Sequence, residues 1–431
     1  MNFLKKQSPV RIISLGFALV ILIGSVLLSL PCSIRDGVTL RYIDALYMST
    51  SAVCVTGLLT VDAGDTFTPL GQFFLGMLIQ VGGLGVTAVG TGVILAMGKK
   101  INLKARNLIR EAGNLDSGKG VIRFIRLVFL TTVTFELAGA ALSFLVFRKS
   151  FPPLKAAGVS LFHSVASFNK SGFDILGGGQ NLIPYQDDIL LNLVTCALVI
   201  FGGIGFLVIR EVIAKRFRWK KLSMHAKVVL FMSLVLTAAG TVLLKLTEDI
   251  TWMGAFFTSV SARTAGFSTF PLGSFSSAGL LTVIVLMVIG ASPGSTGGGI
   301  KTTTCYVLFE GIRSSATNTS EKAFRYAVPA DAFRKAAVIT LLAIGIVLSG
   351  TYILVILEPG VPFLDALFEM SSAFGTAGLS TGISAGLCDA AKILTILIMF
   401  IGRLGPLTIA SLWYFTKGER VSYPEGNIAI G

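Results

Sequence analysis

Thr258-Ser-Val-Ser-Ala-Arg-Thr-Ala-Gly266-Phe-Ser-Thr-Phe270 is a run of small and hydroxyl-bearing residues that closes on a glycine followed by phenylalanine, and the chain writes it four times with variations. The other copies are Met48-Ser-Thr-Ser-Ala-Val-Cys-Val-Thr-Gly57-Leu, His163-Ser-Val-Ala-Ser-Phe-Asn-Lys-Ser-Gly172-Phe and Met370-Ser-Ser-Ala-Phe-Gly-Thr-Ala-Gly378-Leu. The four glycines stand about a hundred residues apart, too far for a stacked solenoid. A unit of two membrane-crossing helices with a re-entrant loop between them has that length.

Composition agrees. Hydrophobic residues make up 53% of the 431 and charged residues 13%, with a mean hydropathy of +0.80, which excludes an ordinary soluble domain. An all-α polytopic protein in a lipid bilayer is expected. The formal net charge of +14 would suit nucleic acid if the basic residues shared one face with interleaved aromatics. They fall instead in alternate hydrophilic connections, so no nucleic-acid partner is expected. Cys32, Cys54, Cys196, Cys305 and Cys388 stand singly and His163 is far from His225, which suggests neither a disulfide framework nor a zinc site. Lys5-Lys6 ahead of an apolar run resembles a signal peptide. Ile13 to Leu30 is nevertheless long enough to span, and no A-x-A site follows, so it reads as the first helix.

Eight spans are expected, at roughly 10–31, 70–97, 121–147, 189–213, 227–246, 278–311, 336–357 and 389–416. An even number puts both termini on one side. The connections on that side hold Lys99, Lys100, Lys104, Arg106 and Arg110, then Lys215, Arg216, Arg218, Lys220 and Lys221, then Arg313, Lys322, Arg325, Arg334 and Lys335, which makes it the cytoplasm. The opposite connections carry Asp62, Asp65, Asp174, Asp187, Asp188, Glu248, Asp249 and Glu358. Two readings of these acids stay open: a vestibule that concentrates cations, or solvated loop residues.

Each pair of spans encloses a segment of about a dozen residues, at 42–54, 157–168, 251–263 and 362–374, too short to cross a bilayer about 30 Å thick. A pore helix that enters and turns back fits. The backbone after it must be buried in protein or line water. Val81-Gly-Gly-Leu-Gly85, Phe201-Gly-Gly-Ile-Gly205, Ile289-Gly-Ala-Ser-Pro-Gly294 and Ile401-Gly-Arg-Leu-Gly405 align in the second span of each pair. They read either as small-residue packing sites or as kinks. Only the third copy is interrupted outright, by Gly290-Ala-Ser-Pro-Gly-Ser-Thr-Gly-Gly-Gly-Ile-Lys301, which cannot form a regular helix. A phosphate-binding loop is excluded, because the G-x-x-x-x-G-K-[ST] spacing and a preceding strand are missing.

Four repeats of helix, pore loop and helix, with Val55-Thr-Gly-Leu58, Ser171-Gly-Phe-Asp174, Arg263-Thr-Ala-Gly-Phe267 and Gly375-Thr-Ala-Gly-Leu379 as loop ends and Gly294-Ser-Thr-Gly-Gly-Gly-Ile-Lys301 in the third inner span, resemble the Trk/Ktr/HKT superfamily of potassium transporters. The short chain is similar to its KtrB-type membrane subunits. The resemblance implies four repeats, at 1–100, 101–214, 215–315 and 316–416, placed pseudo-fourfold around one ion pore, with a cytoplasmic tail at 417–431. It implies an ion-binding filter of backbone carbonyls formed by Val55, Thr56 and Gly57; Asn169, Lys170, Ser171 and Gly172; Thr264, Ala265 and Gly266; and Gly375, Thr376, Ala377 and Gly378. It implies a gate formed by Gly290, Ala291, Ser292, Pro293, Gly294, Ser295, Thr296, Gly297, Gly298, Gly299 and Lys301 together with Arg403.

A cation lining a cation pore is unfavourable, so Lys170 and Arg263 are expected to point behind the filter to a carboxylate or to backbone carbonyls, with Asp174 as a candidate partner. Arg403, in the middle of the last span, holds or opposes the gate loop by resemblance. The alternative is an Arg bonded to helix carbonyls that steadies the bundle. Lys301 could serve likewise or snorkel to the cytoplasm.

The family also implies potassium as the substrate, favoured here by Gly57 over serine, with sodium as an activator and no cofactor in this chain. It implies a homodimer in the bacterial cytoplasmic membrane and a cytosolic RCK-type subunit that binds ATP or ADP. No nucleotide motif, metal cluster or nucleophile and base pair points to an enzyme. A sodium-conducting member and a membrane enzyme or scaffold without transport are the alternatives.

Overall fold

The computed structural model describes residues 9–96, 120–329 and 331–411. Within them the chain repeats one plan four times. The first unit is α1 (Pro9–Leu28), α2 (Tyr42–Val53), α3 (Pro69–Leu84) and α4 (Val86–Ala96); the second is α5 (Val121–Phe147), α6 (Pro153–Asn169), α7 (Ile189–Ile204) and α8 (Phe206–Ala214). The third is α9 (Met224–Thr247), α10 (Trp252–Ala262), α11 (Ser277–Val288) and α12 (Thr302–Thr317). After a hairpin of β1 (Lys322–Ala323) and β2 (Tyr326–Ala327), the fourth is α13 (Ala332–Leu357), α14 (Phe363–Gly375), α15 (Asp389–Leu404) and α16 (Pro406–Ser411). Each unit thus has an outer helix, a short pore helix and an inner helix in two halves.

The outer helices are long and apolar enough to cross a bilayer. Their outward side chains meet no protein: Leu234 and Leu341 are each 70% exposed, and hydrocarbon is the solvent that suits such a surface. The inner helices depart from expectation. All four are interrupted, not only the third, so the eight expected spans become four continuous helices and four broken ones. Gly85, Gly205 and Gly405 adopt φ of +87°, +91° and +91°, a conformation from which a side chain excludes other residues. In the second unit the two halves bend by 98°. In the third, the loop 289–301 replaces the break.

Both readings of the glycine pairs hold, for different glycines. The last breaks the helix; the first packs it. A Cβ on Gly82, Gly202 or Gly402 would collide with the carbonyl of Val53, Phe168 or Phe374, at the end of that unit's own pore helix.

Each outer helix packs on its own pore helix, and each pore helix on its own inner helix. Between units the order is cyclic: α3 packs on α6, α7 on α10, α11 on α14, and α15 returns to α2. The seam that closes this ring carries the Lys392–Asp44 ion pair at 2.7 Å, with both groups buried.

Smaller departures have local causes. The second pore helix starts at Pro153 rather than 157, because Pro152 and Pro153 fix an entry into helix. α12 runs to Thr317, past the expected division at 315, and stops at Asn318 in the left-handed conformation with φ +49°. Lys5, Lys6, Lys99, Lys100, Lys104, Arg106, Arg110 and the tail 417–431 lie outside the described residues.

Candidate functional site

The four pore helices end on one backbone pattern. The residue two before each closing glycine is left-handed, although none is glycine: Val55 at φ +56°, Lys170 at +64°, Thr264 at +66° and Thr376 at +49°. Gly57, Gly172, Gly266 and Gly378 follow at +99°, +68°, +80° and +81°. Left-handed backbone in β-branched Val55, Thr264 and Thr376 is strained. Its repetition in four units marks it as a requirement of the site, and nothing in the residue types announces it outside the glycines.

The residue between the two left-handed positions turns its N–H back into the pore helix. Thr56 donates to Ser51, Ser171 to Ala166 and Ala265 to Ser261, each at 2.8 Å, and Ala377 donates to Ser372 at 2.9 Å. The carbonyls of Val55, Thr56, Lys170, Ser171, Thr264, Ala265, Thr376 and Ala377 accept no hydrogen bond among the described residues. The four ends touch in a circle. A Cβ on Gly57 would meet the carbonyl of Ser171, on Gly172 that of Ala265, on Gly266 that of Ala377, and on Gly378 that of Thr56. Asn169 and Gly375, expected in the filter, form the last helical residue of α6 and α14 instead.

The loop 289–301 sits against one side of this ring. The Gly298 N–H donates to Thr376 Oγ1 at 3.0 Å, and Thr296 Oγ1 donates to the carbonyls of Phe168 and Gly202. Gly297 packs on Thr264. The loop is held together by a bridge between Ile289 and Ile300, a hydrogen bond between Ser292 and Thr302, and Lys301 Nζ on the Gly297 carbonyl at 2.8 Å. Lys301 therefore serves the loop and does not reach for the surface. A cavity of about 630 Å³ opens beneath, lined by Phe17, Gly85, Phe124, Phe206, Pro293 and Arg403 among others.

Arg403 joins three units. Its guanidinium donates to the carbonyl of Thr296 in the loop and to those of Gly82 and Gly83, where the first inner helix approaches its break. The two readings of Arg403 merge: it bonds helix carbonyls and the loop at once. Lys170 donates to the carbonyl of Arg263, and Arg263 turns outward to the Ser233 carbonyl of α9 at 3.1 Å. Backbone carbonyls are thus the partners of both. Asp174 is not the partner of Lys170; it accepts from the Leu176 N–H at 3.0 Å.

The acids on the far side of the ring are largely occupied. Asp188 caps α7, Glu248 accepts from Ser276, and Glu358 accepts from the Cys388 N–H. Asp62 and Asp65 accept from Gly179 and Gly178, tying the first unit to the second. Burial pushes the Asp174 carboxyl up to about 7, against the Leu176 N–H and with Asp62 and Asp65 adding to the rise.

Four buried carboxylates escaped the sequence reading, Asp44, Glu136, Glu310 and Glu369. Glu136 on α5 accepts from Asn169 at 3.0 Å and from Gln80 at 3.3 Å, and Glu369 on α14 accepts from Ser380 and Ser384. An acid inside an otherwise apolar segment was the signal that could have found Glu136 and Glu369.

A family profile described as a cation transport protein, TrkH, matches residues 10–416. The chain is 36% identical to the Ktr system potassium uptake protein B of Bacillus subtilis, over 98% of this chain and 97% of that protein. It is 34% identical to the potassium/sodium uptake protein NtpJ of Enterococcus hirae, over 99% and 98%. The crystal structure of the potassium transporter TrkH from Vibrio parahaemolyticus superposes with a TM-score of 0.75 at 19% identity, covering 95% of this chain and 86% of that one, a likeness of fold. With the fourfold helix, pore-helix and broken-helix plan, these similarities place the chain in the TrkH family of cation transport proteins, as a multi-pass membrane protein.

Proposed function

We propose that this chain carries potassium inward across the bacterial cytoplasmic membrane along the axis of the ring, with both termini in the cytoplasm. The observation that carries the reading is the circle of eight carbonyls without hydrogen-bond donors. Buried carbonyls are nearly always paired, and a dehydrated monovalent cation is the partner that such a circle suits. The pore helices add the partial negative charge of their carbonyl ends. Val55, Thr56 and Gly57, Lys170 to Gly172, Thr264 to Gly266, and Thr376 to Gly378 form the filter. The loop Gly290–Lys301 with Arg403 is the gate, a reading supported by its place against the ring and its hydrogen bonds to the second and fourth units.

Regulation follows the relatives. The Bacillus subtilis protein is named as part of a Ktr system, and a cytosolic RCK-type subunit that binds ATP or ADP is the partner proposed here. Pairs of this chain would form a homodimer with one pore per protomer. The name of the Enterococcus hirae relative, a potassium/sodium uptake protein, gives the second reading, in which sodium is also conducted or activates uptake.

The test is growth on limiting potassium of a bacterium stripped of its own potassium uptake, carrying this chain with and without an RCK-type subunit. Rescue that turns sodium-sensitive in Gly57→Ser is the expected result. No rescue under either condition, with the protein present in the membrane, overturns the potassium reading, and sodium influx under the same conditions supports the second one.

A further inference from the structure

The ring is fourfold in its backbone but not in what stands behind it. Nine residues ahead of the closing glycine the four pore helices present Met48, His163, Phe257 and Glu369. Glu369 is fully buried, and no ion pair among the described residues includes it. Its two oxygens divide between two hydroxyls just past the ring: Oε2 accepts from Ser380 Oγ at 2.8 Å and Oε1 from Ser384 Oγ. Those hydroxyls lie 3.1 Å apart, and Ser380 Oγ accepts in turn from the Gly382 N–H at 3.0 Å. The buried Tyr47 side chain, from the pore helix of the first unit, lies beside the same carboxylate and Ser384.

The other units are tied down differently on this side. Asn181 Nδ2 donates to the Gly172 carbonyl at 3.2 Å, and its Oδ1 accepts from the Ser268 N–H at 3.1 Å, so units two and three brace each other. Unit one is braced to unit two through Asp62 and Asp65. In unit four the segment after Gly378 is anchored through Glu369. Gly378 is also the glycine that closes the circle on Thr56. Each serine hydroxyl donates to one oxygen of this buried side chain, and a buried polar group that loses its partners carries a penalty.

Resting on the transport reading, we propose that Glu369 is a positioning residue for ion selectivity: it holds the outer wall of the fourth filter segment through Ser380 and Ser384, and so fixes the width of the ring without touching the ion. Width matters because the carbonyls must replace the hydration shell of one cation and fit a smaller one poorly.

The experiment is rubidium and sodium flux into liposomes that hold the purified full chain. Glu369→Ala and the double variant Ser380→Ala, Ser384→Ala are both expected to lower the rubidium-to-sodium ratio about tenfold, the equivalent of one hydrogen bond. Glu369→Gln keeps the shape and an acceptor, and is expected to retain most of the wild-type ratio, which a role for the charge alone would not allow. Should Glu369→Ala fail to reach the membrane, the double variant decides, since it removes only two hydroxyls. A wild-type ratio in the double variant overturns the clamp, as does an equal loss in Glu369→Gln and Glu369→Ala. A wild-type chain that passes neither ion sinks the transport reading instead.

Discussion

Arg403, on the inner helix of the fourth unit, donates a hydrogen bond to the carbonyl of Thr296, in the loop of the third. The same guanidinium reaches Gly82 and Gly83 of the first unit. One side chain thus locks the loop to the two inner helices that flank the closing seam. The flat, multi-donor fork of Arg makes this possible, and a lysine ammonium offers no equivalent.

Replacing Arg403 by Ala is expected to free the loop and raise basal rubidium flux several-fold in liposomes without a regulatory subunit. Arg403→Lys should give an intermediate increase, because one ammonium cannot span three carbonyls held by three donors. Unchanged flux in both variants would argue that the loop is no barrier.

Shortening the loop tests the same barrier independently. Removing part of Gly294–Gly299 takes away the Thr296 anchor on Phe168 and Gly202 and the Gly298 anchor on Thr376. Higher flux with unchanged rubidium preference is expected, since the ring itself is left intact. Lower flux in a variant that still purifies as a monodisperse protein contradicts the gate.

Ring glycines should respond to a single methyl group according to what it meets. A Cβ on Gly266 comes within 2.9 Å of the Ala377 carbonyl, while on Gly378 it runs into the carbonyl of Thr56. Both residues also sit in left-handed backbone, at φ +80° and +81°, where a side chain costs about 1 kcal/mol or more. Gly266→Ser is therefore expected to weaken rubidium preference over sodium, and Gly378→Ala to abolish rescue of growth on limiting potassium. Competition of sodium with rubidium uptake measures the first.

The seam between the fourth and first units can be weighed by stability. The Lys392–Asp44 pair is buried at 2.7 Å, whereas Arg41–Asp389 at 3.0 Å is exposed. Lys392→Ala should cost about 1–3 kcal/mol, because the Asp44 carboxylate loses its buried donor and keeps only Arg41. Asp389→Ala should cost much less, because that pair is solvated on both sides. Thermal unfolding of the detergent-solubilised protein compares the two, and equal losses would mean that the seam is not held by this pair.

Asp174 predicts a pH dependence. Its carboxyl titrates near 7 rather than in the usual range, chiefly through burial and further through Asp62 and Asp65. A raised value means that the folded protein prefers the protonated acid, so negative charge at this mouth of the ring appears as pH rises through about 7. Rubidium uptake is expected to increase between pH 6 and 8 on that side, which brackets the value by about one unit each way. Asp174→Asn should flatten the rise, and an identical profile in the variant would remove Asp174 from the entry path.

The fold was largely legible because hydropathy and glycine punctuation are local properties. Four copies of one motif, spaced by apolar segments, dictate four membrane-embedded units, since an unpaired backbone has few alternatives in hydrocarbon. The ring glycines and the loop 290–301 could be named for the same reason: glycine and proline declare where regular helix must end. Their side-chain partners could not be named. Lys170 invited pairing with Asp174 a few residues away, yet its ammonium rests on the Arg263 carbonyl of another unit.

Sequence by itself thus settled the membrane class, the fourfold plan and the stretches that gather at the axis, because each follows from the chemistry of neighbours along the chain. Tertiary structure alone decided how the copies differ in role. The left-handed backbone at Val55, Lys170, Thr264 and Thr376, the three-way grip of Arg403 and the clamp of Glu369 on Ser380 and Ser384 all depend on which units become neighbours. Closing four unequal units into a circle brings residues hundreds of positions apart within hydrogen-bonding distance, and no local preference encodes that meeting.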